Sequence, residues 1–294
     1  MILKSESEIS ETGNGQEWTV IIRPTSGWLK INLGDLWRYR DLLVLLVKRD
    51  FVTVYKQTVL GPFWFLLQPL LTTLVFTIIF GKLAKLPTDG VPPMLFYLLG
   101  TTVWTYFSSC LVKTSSTFIN NAHIFGKVFF PRLTVPLATV ISNLISFAIQ
   151  ISLYLAVLLL FVLKGQVHLE ARASLLLLPL LVFQMAALGL GCGIIVSSLT
   201  TRYRDFVHLV GFGVQLWMFV TPVVYPASLI PAEMKWLLFL NPMASIIETF
   251  RFAFHGIGIF DGKQMLASAG ITILILAIGI VLFTRVEKSF ADTV

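Results

Sequence analysis

The sequence predicts an all-α membrane protein with six transmembrane helices. A helix lying along the membrane face precedes them, and two short helices sit between spans five and six. Three observations predict this. Six apolar stretches hold no Lys, Arg, Asp or Glu: Phe63 to Gly81, Met94 to Val112, Leu133 to Leu163, Ser174 to Leu199, Val207 to Ile230 and Gln264 to Thr284. A bilayer core takes about 20 apolar residues per helical span, and the third stretch is long enough to tilt or run on outside the lipid. Composition agrees: 56% of the 294 residues are hydrophobic and only 13% charged, against about 25% charged in soluble domains. Mean hydropathy is +0.84. Proton- and ion-driven transporters keep ionisable groups inside their bundles, whereas these stretches hold no Lys, Arg, Asp or Glu and one histidine, His208.

The elements follow in order. Residues 1–17 are polar and acidic, with no early apolar run, so they read as a disordered arm and no cleavable signal peptide is expected. Residues 18–62 form a membrane-facing segment. Trp18 to Ile22 is a short apolar run ended by Pro24, and Asp35 to Gln57 is a helical stretch mixing charged and large apolar groups. Arg38, Arg40, Lys48, Arg49 and Lys56 alternate there with Trp37, Leu42, Leu43, Leu46, Val47 and Phe51. That mixture suits a helix at an anionic headgroup surface, or an amphipathic helix packed on a soluble partner. Gly61-Pro62 then turns the chain into the first span. Residues 63–284 carry the six spans, and 285–294 are a polar tail.

With both termini on one side, fifteen of the 22 basic residues fall on that side and seven on the other. The positive-inside bias then places both termini in the cytoplasm. Without the residues ahead of Phe63 the two sides hold seven each, so the N-terminal segment carries the asymmetry. A net charge of +7 spread along span flanks does not describe a nucleic-acid binder.

Two loops stand out. Lys113 to Pro136 is polar, then aromatic, then basic, with Asn120, Asn121, His123, Phe125, Lys127 and Arg132. It suits a short cytoplasmic helix that docks a partner. Ala227 to Asp261 is interrupted by Pro231 and Pro242, and two amphipathic helices fit within it, Ala232 to Leu240 and Met243 to Phe254. Their aromatic content (Trp236, Phe239, Phe250, Phe252, Phe254) fits partial re-entry into the membrane at a pore mouth, with a plain outer loop as the other reading. Glu248 and Arg251, three apart, suit a helix-surface ion pair at the membrane edge. Gly189 and Gly193 make one Gly-x-x-x-Gly spacing, a pattern found at dimer faces. Cys110 and Cys192 read as small buried residues. No Gly-x-x-x-x-Gly-Lys-Ser/Thr loop occurs, and the four His have no metal-ligand spacing. Aromatic residues in spans belong most often to cores or interfacial belts. Tyr97, Trp104, Tyr106, Phe107, Trp217, Phe219 and Tyr225 are nonetheless candidates to line a path through the bundle.

Four segments in order resemble type-2 ABC transporter permeases that export polysaccharides such as O-antigen, capsule and teichoic acid. They are LWRYRDLLVLLVKRDFVTVYKQTVLGPFWFLLQP from Leu36, IFGKVFFPRLTVP from Ile124, GLGCGIIVSSLTTRYRD from Gly189, and TPVVYP from Thr221 with NPMASIIETFRFAFHG from Asn241. The resemblance implies a homodimeric permease in the bacterial cytoplasmic (inner) membrane, bound to two copies of a separate ABC ATPase. ATP and Mg would be held there, and this chain would carry no cofactor and no catalytic residue. The cargo would be a polyprenyl-diphosphate-linked polysaccharide. Arg38, Arg40, Lys48, Arg49 and Lys56 would meet its diphosphate at an interface helix. Asn120 to Arg132 would be the coupling and gate loop. Two extracytoplasmic gate helices would include Asn241, Pro242, Glu248 and Arg251. A drug, haem or lipid exporter on the same fold is the alternative. A membrane glycosyltransferase is more remote, because Glu170, Glu233, Glu248 and Asp261 form no evident pair.

Overall fold

The computed structural model describes residues 33–56, 59–125, 130–167, 173–200, 203, 205–258 and 261–293. All regular structure among them is helical. In order these are α1 (Leu33–Arg38), α2 (Arg40–Tyr55), α3 (Trp64–Phe76), α4 (Pro93–Ser115), α5 (Thr117–Asn120), α6 (Ala122–Phe125), α7 (Thr134–Leu163), α8 (Leu178–Thr200), α9 (Phe206–Val220), α10 (Trp236–Leu240), α11 (Pro242–His255) and α12 (Gly262–Thr293). A π-helical segment, Thr77–Leu83, prolongs α3. The arm of residues 1–17 and the run Trp18 to Ile22 lie outside the described residues, as does Lys127.

Five helices are long and apolar enough to cross a membrane: Trp64–Leu83, Pro93–Ser115, Thr134–Leu163, Ala173–Thr200 and Gly262–Val286. They match stretches one to four and six. The fifth stretch is corrected. Its helix, α9, has 15 residues and stops at Val220, which at 1.5 Å per residue is about 22 Å. The cause is Pro222. A residue preceding proline is driven out of the helical region, and Thr221 is extended, with φ −93° and ψ 141°. The same rule breaks the next element. Asn241, ahead of Pro242, takes φ −97° and ψ 99°, and the segments Ala232–Leu240 and Pro242–His255 meet at 100°. The N-terminal helix is also split, at Tyr39, into α1 and α2. At the other terminus α12 continues through the stretch read as a tail.

The bundle has two distinct ends. At one, Leu46 of α2 packs with Phe118, Phe125, Phe130, Val135, Ile194 and Phe283, and Thr200 at the end of α8 donates to the Ser115 carbonyl at the end of α4 (2.9 Å). At the other, α10 and α11 meet the first turns of α4 and α12 and the last turns of α7. Arg251 stacks on Phe96 (3.7 Å), Tyr154 Oη and His255 Nε2 share a hydrogen bond (2.8 Å), and Gln264 donates to the Leu238 carbonyl (3.2 Å). Between the ends, Trp217 of α9 packs edge-on against Trp104 and Phe107 of α4. The chain leaves α8 at the first end and reaches the second by Thr221, so α9 carries it from one end to the other.

The core is built on α4, of which sixteen of 23 residues are buried. Close packing against it needs small residues. A Cβ on Gly193 would stand 2.5 Å from the Thr114 Cβ, and one on Gly189 would stand 2.7 Å from the Cys110 Cβ. On the opposite side of α8 a Cβ on Gly191 would stand 2.9 Å from the Leu276 Cα of α12. The Gly-x-x-x-Gly spacing therefore serves helix contacts inside one chain, and its reading as a dimer face is corrected. Cys110 and Cys192 are free thiols, the first fully buried.

Gly193→Ala is expected to lower the melting temperature of the detergent-purified protein, with overpacking costing about 1–3 kcal/mol. Gly211→Ala on α9, where a Cβ meets nothing within 4 Å, is expected to leave it unchanged. Thermal unfolding of both variants checks the pair.

Candidate functional site

Two groups of polar residues occupy the two ends. The first is organised by Arg251. After Val220 the backbone runs through Thr221 to Pro226 as turns and bends, and Thr221, Pro222, Val223, Val224 and Pro226 are buried there. Irregular backbone at such depth must find partners inside the protein, because each unpaired buried polar group is costly. Arg251 supplies them. Its guanidinium donates to the Val223 carbonyl (2.8 Å) and, at 3.4 Å, to the Tyr225 carbonyl. It donates to Glu248 Oε1 at 2.7 Å, and its plane lies over the Phe96 ring. Both side chains of the pair are only 3% exposed. The helix-surface reading of this pair is thereby corrected: α11 is sunk into the bundle end, with twelve of its 14 residues buried.

Local sequence builds this arrangement. Asn241 caps α11, its side chain accepting from the Met243 N–H (3.2 Å) while its amide donates to Thr221 Oγ1 (2.8 Å). Pro242 stands at the first helical position, where its missing donor is harmless. Gly256 closes the helix in the left-handed conformation, φ 69°. Gly100 of α4 leaves room for the turn, since a Cβ there would stand 2.8 Å from the Val223 oxygen. Gln184 of α8 donates to Ser268 of α12 (2.7 Å), which donates to the Pro242 carbonyl (2.9 Å). The four predicted outer residues, Asn241, Pro242, Glu248 and Arg251, thus converge.

The aromatic candidates divide. Tyr97, Trp104, Tyr106 and Phe107 are buried inside the single chain. Trp217 is half-buried between Trp104 and Phe107. Tyr225 folds back, its hydroxyl donating to the carbonyls of Phe219 and Val220 at the end of α9 (both 3.2 Å). Phe219 is exposed.

At the opposite end, Arg38, Arg40, Lys48 and Lys56 are exposed along α1 and α2 and do not gather at one point. Arg40 leans over Trp37 (5.7 Å). Leu42, Leu43, Leu46 and Val47 face the bundle, while Val44 and Leu45 are exposed, so α2 offers apolar surface on two sides. Arg49 is the cation of this set that meets the neighbouring loop. It pairs with Asp50 (2.8 Å), and both line a cavity of about 440 Å³ with Thr53, Lys113, Ser116, Thr117, Asn120, Asn121, Val135, Thr139, Ser142 and Asn143. The predicted loop residues Asn120 and Asn121 therefore join Arg49. Phe125 lies instead in the aromatic cluster, 5.8 Å from both Phe118 and Phe130, with Arg132 over its ring at 5.7 Å. His123 lies on α6. Lys113 and Asn143 had no role in the sequence reading. They sit 30 residues apart on α4 and α7, and only the fold brings Lys113 Nζ to Asn143 Oδ1 (2.8 Å).

The profile of the ABC-2 type transporter matches residues 41–255. The chain belongs to that family. It is 28% identical over 265 residues to the O-antigen export system permease protein RfbA of Klebsiella pneumoniae, a match covering 90% of this chain and 98% of the relative. The RfbA of Myxococcus xanthus is 28% identical over 262 residues, 88% of this chain and 98% of the relative. The polysialic acid transport protein KpsM of Escherichia coli is 23% identical over 242 residues, 82% and 92%. The protein is therefore a multi-pass membrane permease, and the family match takes in Arg49, Lys113, Glu248 and Arg251.

Arg251→Met removes a charge, the donor to two carbonyls and the cationic partner of the Glu248 carboxylate. A loss of about 3–5 kcal/mol is expected, the cost of breaking a buried pair. Adding Glu248→Leu is expected to recover part of it, because the Val223 and Tyr225 carbonyls stay unpaired. Denaturation of the single and double variants in detergent checks this, and full recovery in the double variant would mean that the ion pair alone carries the effect.

Proposed function

We propose that this chain is the transmembrane permease of an ATP-driven exporter that moves a lipid-linked, O-antigen-like polysaccharide across the bacterial inner membrane. The observation that carries the reading is the end-to-end similarity to O-antigen export permeases, covering 98% of two such relatives. The physics supports it. The spanning stretches hold no relay of ionisable groups for ion coupling, and no P-loop is present, so energy comes from an ATPase in trans.

In this proposal the permease is a homodimer bound to two ATPase copies. The end bearing α2 is cytoplasmic. Arg38, Arg40, Lys48, Arg49, Lys56, Lys113 and Arg132 lie there, in agreement with the positive-inside bias. Both termini are then cytoplasmic, α9 completes a sixth crossing, and α10–α11 re-enter the membrane from outside as the gate. The cations of α1 and α2 draw the diphosphate to the inner leaflet. Arg suits this role, since a guanidinium meets phosphate oxygens bidentately. The loop from Asn120 through Lys127 to Arg132 couples to the ATPase. Phe219 and Tyr225 face the polymer path that the dimer completes, with Trp217 behind them; Tyr97, Trp104, Tyr106 and Phe107 shape that wall from within.

Deleting the gene is expected to abolish surface polymer and to leave the lipid-linked polysaccharide on the inner leaflet; normal surface polymer in a host with no second exporter would overturn the cargo. Arg132→Glu is expected to lower substrate-stimulated ATP hydrolysis by about tenfold, the scale on which a lost charged contact acts. Unchanged hydrolysis and unchanged complex formation would remove the coupling role.

A further inference from the structure

The cavity at the α2 end has a lining unlike that of a general cytoplasmic surface. It contains two cations, Arg49 and Lys113, one carboxylate, Asp50, and eight hydroxyl or amide side chains. The carboxylate is engaged: Arg49 donates to Asp50 Oδ1 from both Nε (2.9 Å) and Nη2 (2.8 Å). Lys113 is the second cation; the Asp50 charge acts on it, but its hydrogen bond among the described residues is to Asn143. Its ammonium has three donors, and Asn143 accepts one. Asn143 is itself buried and is tied down by its own amide, which donates to the Thr139 carbonyl (2.9 Å). The ammonium is thus held in place with two donors to spare. Thr117 is 2% exposed, and its hydroxyl has no partner among the described residues. Asn120 and Asn121 each give one amide N–H, to Ser116 Oγ (3.0 Å) and the Thr117 carbonyl (3.0 Å), which leaves each a second N–H and its amide oxygen to offer.

We propose that this cavity binds a phosphate on Lys113 and the hydroxyls of an adjoining sugar on Asn120, Asn121 and Thr117. One positively charged, oriented ammonium fits one anionic group, and acceptor oxygens beside it fit a hydroxyl-rich neighbour. A bare phosphate would leave those acceptors unused. The placement rests on the proposed function: at the cytoplasmic leaflet, the lipid-linked saccharide presents phosphate and first sugar side by side. The exposed cations of α1 and α2 then attract the headgroup, and this cavity selects it. The cavity sits against α5, in the loop assigned to coupling, so occupancy is sensed where the partner ATPase would dock.

The test uses the full chain in nanodiscs of phosphatidylcholine, with binding followed by thermophoresis. The probes are a short-chain prenyl diphosphate carrying one hexosamine, the same prenyl diphosphate without sugar, and phosphatidylglycerol. Lys113→Gln is expected to weaken the sugar-bearing probe at least tenfold and Lys113→Arg to stay within about threefold of wild type, since loss of one charge-assisted bond is worth about that factor. Asn121→Ala is expected to weaken the sugar-bearing probe and not the bare one. Unchanged binding by Lys113→Gln would overturn the site. Displacement of the saccharide probe by phosphatidylglycerol at equal concentration would overturn the sugar selectivity and assign the cavity to membrane lipid. Surface polymer in cells separates this from the function. If the wild-type gene restores polymer to a deletion strain and Lys113→Gln does so equally, only the cavity assignment fails. If the wild-type gene neither restores polymer nor binds the probe, both fail.

Discussion

The buried guanidinium of Arg251 is the contact on which the α11 end of the bundle depends. Pro222 and Pro242 forbid helix at Thr221 and Asn241, which leaves a buried, irregular stretch from Thr221 to Pro226 with carbonyls to satisfy. Arg251 reaches two carbonyls, and Glu248 neutralises it from one turn away on the same helix. Phe96 and Gly100 give α4 a flat ring and an open backbone against which the guanidinium and the turn settle. A single side chain thereby ties α4, the α9–α10 turn and α11 together. Removing Arg251 would release all three at once.

The opposite end is built differently. There the contacts are aromatic and adaptable: Phe118 stacks on Phe283 at 4.6 Å and touches Phe125, which touches Phe130. No buried ion pair fixes this cluster among the described residues. It joins the loop before α7 to the last turns of α12, while α2 closes over α7 beside a polar cavity. Under the proposed function, an end tied by Arg251 and an end joined by aromatic contacts suit a transporter driven from the α2 side. Between the two ends, the small residues of α8 bring its backbone close to α4 and α12.

Much of this was legible in the sequence. Charge-free stretches of about 20 residues announce spans, because few other contexts tolerate them. Pro231 and Pro242 announced the broken outer segment, and four motifs in order pointed to the family. What the sequence hid has a common cause. Pro222 ends α9 early, yet its neighbours are as apolar as any span, so composition alone joined them. Glu248 and Arg251 sit three apart, which fits an exposed pair as well as a buried one; the difference lies in Phe96 and Val223, which precede Arg251 by 155 and 28 residues. Gly189 and Gly193 signal close approach without naming the partner helix. Lys113 and Asn143 are distant in sequence and ordinary in type, so only the packing of α4 on α7 makes them a pair.

The claim that α10 and α11 re-enter from the face opposite α2 is tested most directly by sided labelling. Single cysteines at Glu233, Ser245 and Lys48, in a background with Cys110→Ala and Cys192→Ala, would be treated with a membrane-impermeant maleimide on intact spheroplasts and again after permeabilisation. The account predicts labelling of Glu233→Cys in intact cells, labelling of Lys48→Cys only after permeabilisation, and protection of the buried Ser245→Cys in both. Labelling of Glu233→Cys and Lys48→Cys from the same face would contradict it.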